Sequence, residues 1–220
     1  MINQIMEDQT FFDEYLNSFC GRFTSESLDL SFEPPLPYTK HGIKFYNNYK
    51  ALQQALTFLK ADKDIRINEM IEIADLVNGP DSFINKGFRK TYVEINGADW
   101  FPSEAEQIYN NINNLIGNYH LMWSGLEDVF EREAMFHINF IKIHPFEDAN
   151  GRTGRIILAH NLMKNNMAPV VITEDEKQKY FEFISKDDYR GFADFLRERS
   201  MQEEQIINQL YEEKVNKKQK

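Results

Sequence analysis

The chain has 220 residues, 25 Lys plus Arg against 35 Asp plus Glu, and a formal charge of −10. That length supports one domain with its own core and no stapling group. The single cysteine, Cys20, excludes an internal disulfide framework and fits a reducing compartment. The acidic balance repels phosphate backbones and anionic lipids, so no nucleic acid and no membrane are expected as partners. MINQIMEDQTFF lacks a basic stretch followed by an apolar one, and no apolar run approaches the roughly 20 residues of a membrane span, so a cytoplasmic location is expected.

Gly and Pro are scarce, at 10 and 7, which favours long helices. In chain order, residues 10–23 predict a first helix and 25–30 a short second one. Pro34, Pro35 and Pro37 make 34–38 a connector. In 45–59, Tyr49, Leu52, Ala55, Leu56 and Leu59 fall at helical spacing, and 67–77 is a further helix stopped by Gly79-Pro80. The stretch TYVEINGADWFP, 91–102, sets Asn96-Gly97 between β-formers and predicts a hairpin lying on the helical body. Ser103 is placed to cap a helix over 104–116, and 128–141, 152–164, 174–184 and 187–213 complete the helices. The terminal KVNKKQK reads as a frayed tail. The fold class is mostly α with one exposed hairpin.

Chemistry concentrates in IHPFEDANGRTGR, residues 143–155. His144 ends one helix, because Pro145 forbids its continuation. Phe146 is suited to plug the loop into the core. Asp148 is a carboxylate suited to a hard divalent cation. Ala149, Asn150 and Gly151 lead into the next helix, where small residues let backbone N–H groups approach an anion. Arg152 and Arg155 project from nearly the same face of its first turn. Two cations there are unfavourable for the helix unless an anion sits between them, and a triphosphate with its metal would supply that charge. A plain connector, with Asn150 as cap and solvated arginines, accounts for each residue singly but not for the combination. His137 and His144, seven apart, with His160 on the next helix, raise a zinc site as a weaker option, without Cys or HExxH support. His41 and His120 read as surface or packing histidines. Trp100 reads as an anchor of the hairpin or a contact to a target. Trp123, Phe181, Phe183, Phe192 and Phe195 read as core.

The stretch resembles the Fic signature HxFx[DE]GN[GK]RxxR at His144, Phe146, Asp148, Asn150, Gly151, Arg152 and Arg155. It departs at Ala149, where that family usually has Gly, so the loop must reach the same backbone shape with a Cβ present. Residues 87–108, GFRKTYVEINGADWFPSEAEQI, are similar to the family's target-docking hairpin, or flap, and 134–146 to its helix leading into the catalytic loop. The resemblance implies a Fic fold, a helical bundle with a β-hairpin flap near the active site. N-terminal helices and a connector would occupy 1–60, a Fic core 61–200, and a C-terminal helix end with a basic tail 201–220. It implies a protein adenylyltransferase that takes ATP as substrate with Mg²⁺ and modifies a Tyr, Thr or Ser hydroxyl of a target protein. His144 would be the general base and Asp148 the metal ligand. Phe146, Ala149, Asn150, Gly151, Arg152 and Arg155 would form the nucleotide-binding loop. Tyr92, Val93, Glu94 and Ile95 would form the edge that docks the target. Relatives that act as kinases, transfer other groups or remove AMP supply the alternative, as does a non-catalytic nucleotide-binding module. The family's brake, [ST]xxxE[GN], is approximated by Ser25 with Asp29 and by Ser200 with Glu204. A separate antitoxin chain would serve the same end.

Overall fold

A computed structural model describes residues 8–30, 38–80, 84, 86–95 and 98–218. Asp8 opens α1 (Gln9–Asp29), its carboxylate accepting from the Phe11 N–H at 3.1 Å. The sequence predicts two helices here and the structure makes one. Phe19, Phe23 and Ser27 continue a single inward stripe four residues apart, and no proline interrupts it. Most of the connector expected at 34–38 lies outside the described residues, and α2 (Tyr38–Lys60) begins at its last position. α3 (Ile67–Asn78) ends where Gly79 turns to φ 85°.

The expected β-hairpin is not formed as a ladder: among the described residues there is no strand. The Ala98 N–H donates to the Ile95 carbonyl at 3.1 Å, while Asn96 and Gly97 lie outside the described residues. The arms are short, and an isolated two-stranded ribbon is marginal in water. Their side chains go elsewhere: Trp100 to the His144 ring, and Phe101 to solvent at 86% exposure.

Ser103 does not cap the next helix. Its hydroxyl accepts from Asn111 Nδ2 at 3.0 Å, and the helix starts through a 3₁₀ turn, Ala105–Gln107, into α4 (Ile108–Gly117). A π-helical turn, Asn118–Met122, follows, which the apolar pattern did not predict. Asp128 caps α5 (Val129–Ile143), accepting from the Phe130 N–H at 2.9 Å. α6 (Asn150–Lys164) runs back against α5, and α7 (Lys177–Ser185) follows a 3₁₀ turn at Glu174–Glu176. α8 (Tyr189–Lys218) is not frayed at KVN: Lys214 Nζ lies 3.2 Å from Glu14 of α1.

α6 is the central element, packed against α1, α2, α3 and α5. Its approach to α5 depends on Gly154, where a Cβ would sit 2.9 Å from Ile141 Cδ1 and 3.1 Å from Phe140 Cδ1. α5 is held on its other face by α8 through an aromatic cluster. The Phe192 ring, fully buried, lies 5.4 Å from His137, 5.9 Å from Tyr180, 5.7 Å from Phe183 and 6.1 Å from Phe195. At the far end of α5, Glu133 is buried and hydrogen-bonded by Tyr119 and by Asn161, and burial pushes its carboxyl up to about 7.

Phe192→Ala is expected to destabilise the fold by about 3–5 kcal/mol, the usual cost of emptying a fully buried aromatic site. Chemical denaturation measures it, and a loss below about 1 kcal/mol would contradict the cluster's role.

Candidate functional site

α5 ends on His144 in the left-handed region, φ 51° and ψ 61°, with its N–H still bonded to the Phe140 carbonyl at 3.1 Å. For a residue with a Cβ this costs about 1–2 kcal/mol. The turn carries the imidazole out of the helix and into the loop. His144 Nδ1 lies 3.2 Å from the Ile141 carbonyl. A carbonyl can only accept, so Nδ1 carries the proton and the Nε2 lone pair is left for chemistry. Burial pushes the ring's pKa down to about 4. The Arg89 cation adds to that shift, while the Ile141 carbonyl and the Asp148 carboxylate oppose it. The imidazole is therefore neutral at pH 7.

The loop from Pro145 to Ala149 is pinned at two points. Phe146 is buried, its ring 5.6 Å from Phe88 and 6.4 Å from Phe140. Asn150 closes the loop on itself: its Oδ1 accepts from the Phe146 N–H at 2.9 Å and its Nδ2 donates to the Phe146 carbonyl at 2.8 Å. Asn150 is thus the first helical residue rather than the cap, and its amide is spent on loop shape. Ala149 is the second left-handed residue, φ 71°, so the backbone shape is reached with the Cβ in place. Asp148 accepts from the Ala149 N–H at 2.5 Å and from Arg152 Nη2 at 3.0 Å. Burial alone would raise the Asp148 carboxyl, but Arg152 and the N–H hold it below its usual value, so it is charged.

Arg152 and Arg155 are 6% and 5% exposed at the N-terminal turn of α6. Arg155 Nε donates to Ser27 Oγ at 3.0 Å and Nη2 to the Ser27 carbonyl at 2.7 Å, while its carbon Cζ lies 5.9 Å from the Tyr180 ring centroid. Gly151 makes room, since a Cβ there would sit 3.1 Å from Arg155 Nη1. The Tyr180 hydroxyl is in turn 2.8 Å from His137 Nε2. Burial pushes His137 down to about 3, with the Arg155 charge adding to it.

The structure thus brings His144, Phe146, Asp148, Ala149, Asn150, Gly151, Arg152 and Arg155 into one loop and helix start. The flap residues Tyr92, Val93, Glu94 and Ile95 run exposed or half-buried nearby, tied to the loop through Arg89. The four brake candidates lie elsewhere. Ser25 and Asp29 are exposed, and the Asp29 carbonyl takes Lys177 at 3.3 Å. The Ser200 hydroxyl donates to the Ala168 carbonyl at 2.8 Å, and Glu204 sits half-buried on α8. The position that meets Arg155 is Ser27, two residues from Asp29 and so on the opposite helix face. His137 and His160 are used in packing, His160 against Asn161 and the Lys63 carbonyl, and among the described residues no three His, Cys, Asp or Glu side chains gather as a metal site. Ser27, Arg89 and Tyr180 were not singled out from sequence. The continued stripe Phe19–Phe23–Ser27 is the one signal that could have found Ser27.

Residues 58–162 match the family model described as Fic/DOC family. The protein adenylyltransferase Fic of Nematostella vectensis is 28% identical over 160 residues, 69% of this chain and 36% of that protein. The protein of the same name from Drosophila melanogaster is 27% identical over 164 residues, covering 70% and 33%. The chain thus spans about a third of the length of the curated relatives it matches. A Fic-domain-containing signalling protein from Bacteroides thetaiotaomicron superposes with a TM-score of 0.77 at 16% identity, over 95% of this chain and 96% of that one. A Fic-1 fragment from C. elegans gives 0.69 at 16% identity, over 95% and 71%.

Two outcomes follow from this geometry. Ala149→Gly relieves left-handed strain of about 1–2 kcal/mol against about 0.5–1 kcal/mol of added chain entropy, so Tm is expected to rise; a lowered Tm would mean the Cβ contributes more packing than strain. In an NMR titration the His144 ring is expected to stay neutral down to about pH 4. Since its folded value lies below the unfolded value near 6.5, its contribution to stability is complete above pH 6.5 and is lost as pH falls through about 4. A midpoint near 6.5 in the folded protein would refute the burial account.

Proposed function

We propose, for a chain whose residues 58–162 match the Fic/DOC family model, that it transfers AMP from ATP to a Tyr, Thr or Ser hydroxyl of a target protein. The observation that carries this reading is the neutral His144, its Nε2 lone pair free, standing beside a helix start that holds two buried arginines. Nε2 takes the proton as the hydroxyl oxygen attacks the α-phosphorus, and the bond to pyrophosphate breaks in line. A positioned base of this kind contributes about 10²–10⁴-fold in rate. The first N–H groups of α6, already in place, offset the polyphosphate charge, and Arg152 and Arg155 add to this once they leave Asp148 and Ser27. Phe146 and Asn150 keep the loop in the shape this requires.

Asp148 fits magnesium. It is held ionised at the loop, and magnesium takes one or two protein carboxylates and completes its shell with phosphates and water. The cation would supply charge neutralisation to the phosphates; Arg152, which pairs with Asp148 here, is the side chain freed to meet them. Residues 92–95 would dock an extended target segment by backbone pairing, forming a ladder that is absent among the described residues. α1 serves as an intramolecular brake on this reading, supported by the Ser27 hydroxyl and carbonyl on Arg155. No antitoxin chain supplied in trans is then needed.

The test is incubation with Mg²⁺ and α-labelled or γ-labelled ATP. Label is expected on protein from the α position only, reduced about 10²-fold or more in His144→Ala. Ser27→Ala is expected to raise the rate and Ser27→Glu to lower it. Transfer from the γ position alone would replace AMP transfer with a kinase reading, and equal labelling by His144→Ala would remove the general base.

A further inference from the structure

Arg89 is one of the largest fully buried side chains in the molecule, at 2% exposure. A cation at such depth is normally paired with a carboxylate. The hydrogen bonds of this guanidinium go instead to main-chain carbonyls. Nε donates to His144 at 2.7 Å, Nη1 to Thr91 at 2.9 Å, and Nη2 to Ser103 and, at 3.5 Å, to Ile143. The Arg89 N–H donates to the Pro145 carbonyl at 2.9 Å, and the neighbouring Phe88 ring packs on Phe146.

These acceptors fall into two groups. Ile143 and His144 are the last carbonyls of α5, the negative end of a helix, where a cation is favoured. Thr91 and Ser103 bracket the 92–95 segment on both sides. One planar fork therefore joins the backbone of the imidazole-bearing residue to both roots of that segment. The fork shape matters: five N–H groups in fixed directions reach separate carbonyls, which a single ammonium cannot do.

We infer that Arg89 is a positioning residue that locks His144 and the target-docking segment into one register. The inference rests on the AMP-transfer reading for its catalytic consequence, but the lock itself is a property of the free protein. It makes the distance between a docked hydroxyl and the base depend on one side chain. Orientation errors of about 1 Å at such a site cost on the order of 10²-fold in rate.

The experiment compares wild type, Arg89→Lys and Arg89→Met, with thermal melts to confirm folding. Arg89→Lys keeps a cation at the helix end and so preserves the fold while losing the fork. It is expected to lower kcat by about 10- to 100-fold with the KM for ATP within about twofold, because Arg152 and Arg155 are untouched. Without any substrate, amide hydrogen exchange is expected to rise across residues 91–103 in both variants, and the His144 ring signal to shift in NMR spectra. Wild-type kcat together with unchanged exchange in Arg89→Lys would overturn the inference. A wild-type protein that transfers no AMP would overturn the functional reading alone, since the exchange and NMR measurements still judge the lock.

Discussion

The close approach of α5 and α6 at Gly154 is the constraint on which the site depends. With Phe140 and Ile141 pressed to within 3.1 Å of where a Cβ would lie, the two helices run back to back and leave only a short loop between them. That loop must reverse the chain in a handful of residues. It does so through two left-handed residues, His144 and Ala149, each unfavourable for an L amino acid. Phe146 in the core and the Asn150 amide on the Phe146 backbone hold the conformation against that strain. The same reversal puts the end of one helix, carrying an imidazole, beside the start of the next, carrying N–H groups and arginines. Packing and chemistry therefore have a common cause.

The start of α6 is electrostatically odd. A helix N-terminus favours negative charge, yet Arg152 and Arg155 occupy its first turns almost entirely out of water. Arg152 is paired with Asp148, and Arg155 is satisfied by the neutral groups of Ser27 and by the Tyr180 ring. Two buried cations against one carboxylate leave an excess of positive charge. On the AMP-transfer reading, a polyphosphate would relieve it. His137, forced neutral by burial, backs Tyr180 without adding a further charge.

Much of this is legible in the sequence, and the remainder is not for identifiable reasons. Residues 143–155 can be read because chemically distinctive side chains are crowded between two periodic segments. The helices can be read from apolar spacing, although α1 runs through the break expected near Thr24 and α8 runs on because Lys214 reaches Glu14. The hairpin is not formed as a ladder among the described residues because Asn-Gly signals a turn and not a ladder, and the partners of its arms are distant in sequence. Arg89 is invisible because its partners are carbonyls, which every residue carries. The brake motif is a side-chain pattern, whereas the contact to Arg155 is set by helix phase: Ser27 shares a face with Phe23, and Asp29 lies about 200° away.

The same helix phase limits how α1 can act. Phe11, Phe12, Tyr15, Leu16, Phe19, Cys20 and Phe23 are all buried, and Glu203 of α8 accepts from Tyr15 at 2.8 Å and from Arg22 at 2.6 and 2.9 Å. At about 1.5–3 kcal/mol for each large apolar side chain, detaching α1 would cost on the order of 10 kcal/mol, as much as a whole domain's stability. A brake that required the helix to leave would therefore unfold the protein before it released the site. The contact to Arg155, in contrast, is made by one serine near the C-terminal end of the helix, beyond the Glu203 anchor. There the ties to the rest of the chain include exposed ones, Glu26 on the Glu174 N–H and the Asp29 carbonyl on Lys177, and the buried side chains of Leu28 and Leu30. The exposed contacts add about 1 kcal/mol or less, whereas each buried leucine holds the turn by about 1.5–3 kcal/mol. Release on the AMP-transfer reading is thus a movement of the Arg155 side chain off the Ser27 hydroxyl and carbonyl, while α1, its last turn included, stays in the core.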